Sequence, residues 1–129
     1  MFVDTSVVIA ILSEEDDADH WSERLEQNSN KITSPLVVLE AAMRLSTKLA
    51  NEPLATEAFI EAFLEQAEIE IVPIEAGDAK LAIKAFSDYG KGRSPARLNL
   101  ADCLSYACAK SRNIPLLYKG RDFSLTDLA

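Results

Sequence analysis

Cysteine, histidine, cationic residues and long apolar stretches are all scarce in this 129-residue chain, and each shortage excludes something. Two cysteines and one histidine cannot close a structural zinc site, which takes four nitrogen or sulfur ligands. Cys103 and Cys108 fall in what reads as one helix, about 140° apart around its axis, so a disulfide between them is geometrically poor. The longest apolar run, Val7 to Leu12, is far short of the roughly 20 residues that span a bilayer. No Lys or Arg precedes the apolar N-terminal stretch and Asp4 interrupts it, which is not the pattern of a signal peptide. A reduced, cytoplasmic protein with no membrane association is expected.

Lys and Arg number 13 against 21 Asp and Glu, a formal net charge of −8. Proteins that coat nucleic acid neutralise many phosphates with many cations, and this chain has too few. An enzyme that reaches nucleic acid through a metal and a few placed cations is not excluded. With 48% apolar and 26% charged residues, and no repeat, linker or low-complexity tract, residues 1–129 form one globular domain.

Phe2 and Val3 read as a very short strand, followed by a turn at Asp4 and an apolar helix from about Ser6. The acidic run Glu14 to Asp17 leads into a second helix, roughly 16–28. Lys31 to Thr33 is a short strand, and Ser34-Pro35 then supplies an N-cap with proline at the first helical position, for a helix from Pro35 to about Ala50. Helical periodicity returns over 54–68 and 76–89, with Gly90 as a C′ residue, and over Asn99 to Arg112. Ile69 to Val72 and Pro115 to Tyr118 read as buried strands, and the tail GRDFSLTDLA as a loop with a short last strand or turn. Alternating strands and helices imply a three-layer α/β/α domain with a short, mostly parallel central sheet. Ligands of such sheets bind outside the carboxyl ends of the strands.

Three acids stand in apolar surroundings, where a charge is costly unless paired or bound to a metal. Asp4 lies at the carboxyl end of the first strand, Glu40 interrupts a helix that reads as buried nearly all round, and Asp102 sits in LNLADCL. Each also has a purely structural reading. Asp4 is a favoured N-cap, Glu40 is spaced to pair with Arg44, and Asn99 with Asp102 has the spacing of a capping box. A fourth acid, Asp122, follows the last strand, with Asp127 as its competitor. Carboxylates converging there would repel, and a hard divalent cation, Mg²⁺ or Mn²⁺, removes the penalty with oxygen ligands.

The segments DTSVVIAIL at Asp4, SPLVVLEA ending at Glu40, LNLADCLSYACAK around Asp102 and KGRDFSLTDL, in that order, resemble a PIN-domain ribonuclease. More narrowly, the chain is similar to VapC-type toxins of toxin–antitoxin modules. The resemblance implies Mg²⁺- or Mn²⁺-dependent endonucleolytic cleavage of RNA, with Asp4, Glu40, Asp102 and Asp122 as the acidic centre and Asp4 and Asp102 as metal ligands. It also implies support from Thr5 and Ser6, which orient the first acid or a metal-bound water, and from the polar positions Asn99 and Thr126. A small cognate antitoxin laid over the site and a homodimer are the expected partners.

Phosphate contacts are sought in the basic loop at Lys91, Arg93 and Arg97, and at Lys119 and Arg121 beside the site. His20, next to Trp21, reads as surface or packing. The apolar positions Val8, Ile11, Leu12, Leu45 and Leu49 are core or partner surface. Two alternatives remain open at this level, a PIN nuclease of RNA maturation and a catalytically silent α/β binding module. A receiver domain needs an acidic pair at the first strand, and a haloacid-dehalogenase-like phosphatase a second Asp after Asp4-Thr5; neither is present.

Overall fold

The computed structural model describes residues Met1–Ala129. Its elements run β1 (Phe2–Val3), α1 (Thr5–Leu12), α2 (Ala18–Glu26), β2 (Lys31–Thr33), α3 (Pro35–Lys48), α4 (Pro53–Gln66), β3 (Ile69–Ile71), α5 (Ala76–Tyr89), α6 (Leu100–Ser111) and β4 (Leu116–Leu117), closed by a 3₁₀ turn at Phe123–Leu125. Local chemistry sets most of the boundaries. Ser34 Oγ accepts from the Val37 amide at 3.3 Å while Pro35 occupies N1, so α3 starts where its sequence asks it to. Asn99 and Asp102 close a reciprocal capping box at the head of α6.

The four strands pair in parallel in the order β3-β2-β1-β4. β1 is therefore interior, and Phe2 and Val3 are completely buried, which is why a strand of two apolar residues suffices. Parallel neighbours need crossovers, and the helices supply them, packing in pairs (α1 on α2, α3 on α4, α5 on α6) in the three-layer α/β/α arrangement. The chain winds outward from β1 through β2 to β3, then returns to place β4 on the other side of β1. Strand order reverses at β1, and a crevice opens at such a switch point beyond the carboxyl ends of the strands. Asp4 leaves β1 there, and Tyr118 to Asp122 leave β4 there.

Some local expectations give way. Gly90 ends α5, but with φ −68° it is not the left-handed C′ residue; a Cβ there would collide with the Phe86 carbonyl oxygen and ring. Gly92, at φ +85° in the basic loop, and Gly120, at φ +106° in the turn after β4, are the glycines whose conformation is required. Of the strand or turn expected in the tail, the turn is what forms, as the 3₁₀ turn anchored by Phe123, whose ring packs 5.3 Å from that of Tyr118. α3 is not buried all round. Val37, Ala41 and Leu45 face the core, while Leu39 and Met43 are 56% and 63% exposed. Val8 and Leu45 are core residues, and Ile11, Leu12 and Leu49 are partly buried against the same core. Cys103 and Cys108 are both buried and unbonded.

Candidate active site

Asp4 is the N-cap of α1, as its structural reading requires. Its Oδ2 accepts the Ser6 amide at 3.1 Å and the Ser6 hydroxyl at 2.7 Å, and its protein hydrogen bonds end on that oxygen alone. Ser6 Oγ in turn accepts the backbone amide of Lys119 at 2.9 Å, tying the loop after β4 to the acid after β1. Asp102 is arranged likewise. Its Oδ2 accepts the Asn99 amide at 3.1 Å, and Asn99 Oδ1 accepts the Asp102 amide at 2.9 Å. Capping and metal binding are thus not rivals here, because each carboxylate spends one oxygen on its helix and keeps the other.

Asp102 also shows what surrounds it. Burial pushes its carboxyl up to about 7; the Asn99 amide opposes this, and the carboxylates of Asp4, Asp122 and Glu40 reinforce it. The three other candidate acids therefore lie close enough to act on Asp102 electrostatically. Glu40, half-buried on α3, forms no ion pair with Arg44, so its simplest structural explanation fails.

Asp127 is committed elsewhere. Burial would raise its pKa, but the Lys110 ammonium at 2.7 Å and the Tyr106 hydroxyl at 2.6 Å hold it below the usual carboxylate range. Asp122, exposed at the head of the 3₁₀ turn, is the tail acid that acts on Asp102. Thr126 is structural. Its hydroxyl donates to the Phe123 carbonyl at 2.8 Å and accepts the Leu128 amide at 3.1 Å.

The cations divide too. Lys119 does not stand free for phosphate, since its ammonium bonds to Glu15 and, at 2.8 Å, to Asp17. Arg93 donates to the Ser87 carbonyl at 3.4 Å and lies 5.7 Å over the Phe86 ring. Lys91, Arg97 and Arg121 are exposed and form no ion pair. His20 is exposed with its ring against the edge of Trp21, 4.8 Å away, which is a packing role. What sequence reasoning missed is the Lys119 amide. A main-chain donor carries no residue-type signal and is found only once the strand order is known.

The donor set suits a hard cation, since the groups brought together are carboxylates and hydroxyls, all oxygen. No three Asp, Glu, His or Cys side chains converge closely enough to cage an ion by themselves. Mg²⁺ does not ask for a cage, because it is commonly held by one or two carboxylates and keeps several waters.

Residues 1–128 match the PIN domain family. The chain belongs to that family. Within it, the chain is 38% identical over 129 residues to ribonuclease VapC30 of Mycobacterium tuberculosis, covering all of this chain and 96% of the relative. It is 41% identical over 127 residues to ribonuclease VapC28 of the same organism, covering 98% and 93%. In Rhizobium meliloti a VapC ribonuclease is 38% identical over 98% of both chains. Among solved structures, the M. tuberculosis VapC20 toxin, described as cleaving the sarcin–ricin loop, superposes with a TM-score of 0.77 at 16% identity, covering 99% of this chain and 95% of that one. A toxin–antitoxin complex from Klebsiella pneumoniae superposes at 0.71 with 18% identity. At these identities the structural matches establish a shared PIN fold, and the curated relatives place the chain among VapC ribonucleases.

Proposed function

We propose that this VapC-type PIN domain is a Mg²⁺- or Mn²⁺-dependent endoribonuclease and the toxin of a toxin–antitoxin pair. One observation carries the reading: at the switch point of the sheet Asp102 is pushed up to about 7, chiefly by burial and further by the carboxylates of Asp4, Asp122 and Glu40. A buried carboxylate facing other carboxylates does not serve stability, and a divalent cation offsets both the burial and the repulsion.

In this reading Asp4 and Asp102 offer their free oxygens as metal ligands, and Asp122 holds a second ion or the water around the first. When bound, the cation supplies an activated water at neutral pH and neutralises charge developing on the phosphate. Hydrolysis forms a bond from the water oxygen to phosphorus and breaks the bond from phosphorus to the leaving oxygen. Glu40 takes up the proton released by the attacking water. Ser6 and Asn99 position the acids through hydrogen bonds already made. Lys91, Arg97 and Arg121 draw in the RNA backbone, and Arg93 joins them if its contact with Phe86 yields.

The partners in this reading are an RNA, a cognate antitoxin that sets a cation against the carboxylates, and a second copy of the chain, in a cytoplasmic setting. Labelled tRNA and a mixed RNA pool, incubated with the protein and Mg²⁺ or Mn²⁺, test it. Cleavage that stops with EDTA and in Asp4→Asn and Asp102→Asn is expected. A folded, antitoxin-free chain that binds no metal and cuts nothing would establish the silent binding module instead.

A further inference from the structure

Two phenylalanines stand well out of the surface, Phe59 on α4 at 44% exposure and Phe86 on α5 at 47%. Their surroundings differ. α4 carries Glu57, Glu61 and Glu65 and no cation, whereas Phe86 adjoins the basic loop that follows α5. The Phe86 ring is seated against the backbone of Gly90, in the space that any side chain at position 90 would fill. The Arg93 guanidinium lies 5.7 Å over that ring, and Arg93 Nε donates only a long bond, 3.4 Å, to the Ser87 carbonyl.

The loop is tied to the acidic site. Gly90 pairs with Leu98, and both are buried. The Lys91 amide donates to the Leu98 carbonyl and the Leu98 amide to the Tyr89 carbonyl, each at 2.9 Å. Asn99 comes next and holds Asp102 at the head of α6. Lys91 and Arg97 in the same loop are exposed and form no ion pair, while Asp88, the nearest acid along α5, is neutralised by Lys84 at 2.7 Å. An open ring among unpaired cations matches single-stranded nucleic acid, which brings bases for the ring and phosphates for the cations. Charge selects this occupant over an apolar protein surface, which would bury Lys91, Arg93 and Arg97 without partners.

We propose that Phe86 is a stacking platform for an unpaired base of the RNA. Arg93 covers the ring in the free protein and passes to a phosphate oxygen when the base arrives. The exchange is favourable, because a base stacks on an aromatic ring more strongly than an exposed arginine does, and the guanidinium gains a charge-assisted contact. The proposal rests on the endoribonuclease reading above and deepens it by naming a residue that recognises bases, where Lys91, Arg93 and Arg97 meet phosphates.

Fluorescence anisotropy tests it in wild type, Phe86→Leu and Phe86→Tyr, with a labelled RNA single strand of about 12 nucleotides and a labelled RNA duplex of the same length. Binding is read in EDTA, so that nothing is cut, and again with Mg²⁺ in the Asp4→Asn background. Phe86→Leu keeps an apolar side chain against Gly90 but no π face, and its affinity for the single strand is expected to fall about fivefold. Its affinity for the duplex, whose bases are already paired and stacked, should stay within about twofold. Phe86→Tyr should match wild type on both RNAs. Thermal unfolding and gel filtration report the fold and oligomeric state of each variant.

An equal fall for single strand and duplex would assign Phe86 to the shape of the loop, and the proposal falls. Unchanged affinity for both RNAs overturns it as well, and so does a Phe86→Tyr chain as weak as Phe86→Leu. A wild-type dimer that dissociates in Phe86→Leu with RNA affinity intact would make this face a contact between copies instead. If the chain with Phe86 intact binds neither RNA under either condition, the endoribonuclease reading fails first and takes the proposal with it. That result differs from a wild type that binds and a Phe86→Leu that binds equally well.

Discussion

Lys119 and Ser6 are separated by 113 residues, yet the backbone amide of one donates to the hydroxyl of the other at 2.9 Å. Through that hydroxyl the loop after β4 grips the acid after β1, because Ser6 Oγ donates onward to Asp4 Oδ2 at 2.7 Å. The Lys119 side chain is held in turn by Glu15 and Asp17, so the α1–α2 turn also braces the site.

Ser6→Ala removes both bonds and leaves the partly buried Lys119 amide without an acceptor. A loss of about 1–3 kcal/mol is expected, measured by urea unfolding, together with weaker Mn²⁺ binding. If stability and metal binding are both unchanged, the bridge is not holding Asp4.

Asp102→Asn should have the opposite effect on the metal-free protein. The substitution removes the cost of burying a charge and, with it, the repulsion from Asp4, Asp122 and Glu40, and it keeps an oxygen to accept the Asn99 amide. Thermal unfolding in EDTA is expected to show the variant more stable than wild type, by about 1 kcal/mol or more, with Mg²⁺ closing the gap. A variant less stable than wild type in EDTA would refute the buried, repelled carboxylate on which the functional reading stands.

Asp122 and Asp127 are separable by a crossed experiment. Asp127→Ala loses its bonds to Tyr106 and Lys110 and should cost about 1 kcal/mol of stability while metal-dependent cleavage continues. Asp122→Asn breaks no hydrogen bond of the fold and should unfold like wild type while cleaving at least tenfold more slowly, a loss of about 1.4 kcal/mol in transition-state stabilisation. Exchange of these two phenotypes would return the fourth position to Asp127.

Acid stability should be governed in part by Asp78, far from the site in function. It is 3% exposed, and burial alone would raise its pKa. The Glu75 amide, the Ser111 hydroxyl at 2.7 Å and the Arg112 guanidinium outweigh that and lower it. A carboxyl whose pKa is lower folded than unfolded stabilises above its unfolded value, near 4, and this contribution is lost as pH falls through the folded value. Urea midpoints taken from pH 6 down to 3 should therefore fall less steeply for Asp78→Asn than for wild type. Parallel curves would show that Asp78 does not carry this linkage.

Salt dependence should tell the two cations of the last loop apart. Arg121 is exposed and unpaired, so Arg121→Gln should lower the slope of log affinity for single-stranded RNA against log salt by about 0.7. Lys119 is spent on Glu15 and Asp17, so Lys119→Gln should leave that slope unchanged and lower the melting temperature. A reduced slope for Lys119→Gln would restore it as a phosphate contact.

Much of this could be read along the chain, for a physical reason. A cap is a bond between residues two or three apart, so Asp4 with Ser6, Ser34 with Val37 and Asn99 with Asp102 are written in adjacent letters. The alternation of strands and helices is local periodicity, and it carries the fold class with it. Exposure is different, since it depends on what another element covers. Leu39 and Met43 read as core in a helix rich in apolar residues, and they face solvent because α3 buries only one side.

The sequence by itself determined the capped helices, the parallel architecture and the acidic positions Asp4, Glu40, Asp102 and Asp122, because those follow from neighbouring residues and from motifs in order. Only the tertiary structure decided strand order, and with it which loops meet at β1. That order brings Asp122 into the field of Asp102, leaves Asp127 to Tyr106 and Lys110, and ties Lys119 to Glu15, Asp17 and Ser6. The three partners of Lys119 are more than a hundred residues away from it, and even the nearest pair, Lys110 with Asp127, is 17 apart. No local propensity encodes such pairings, and only the packing of the helices on the sheet does.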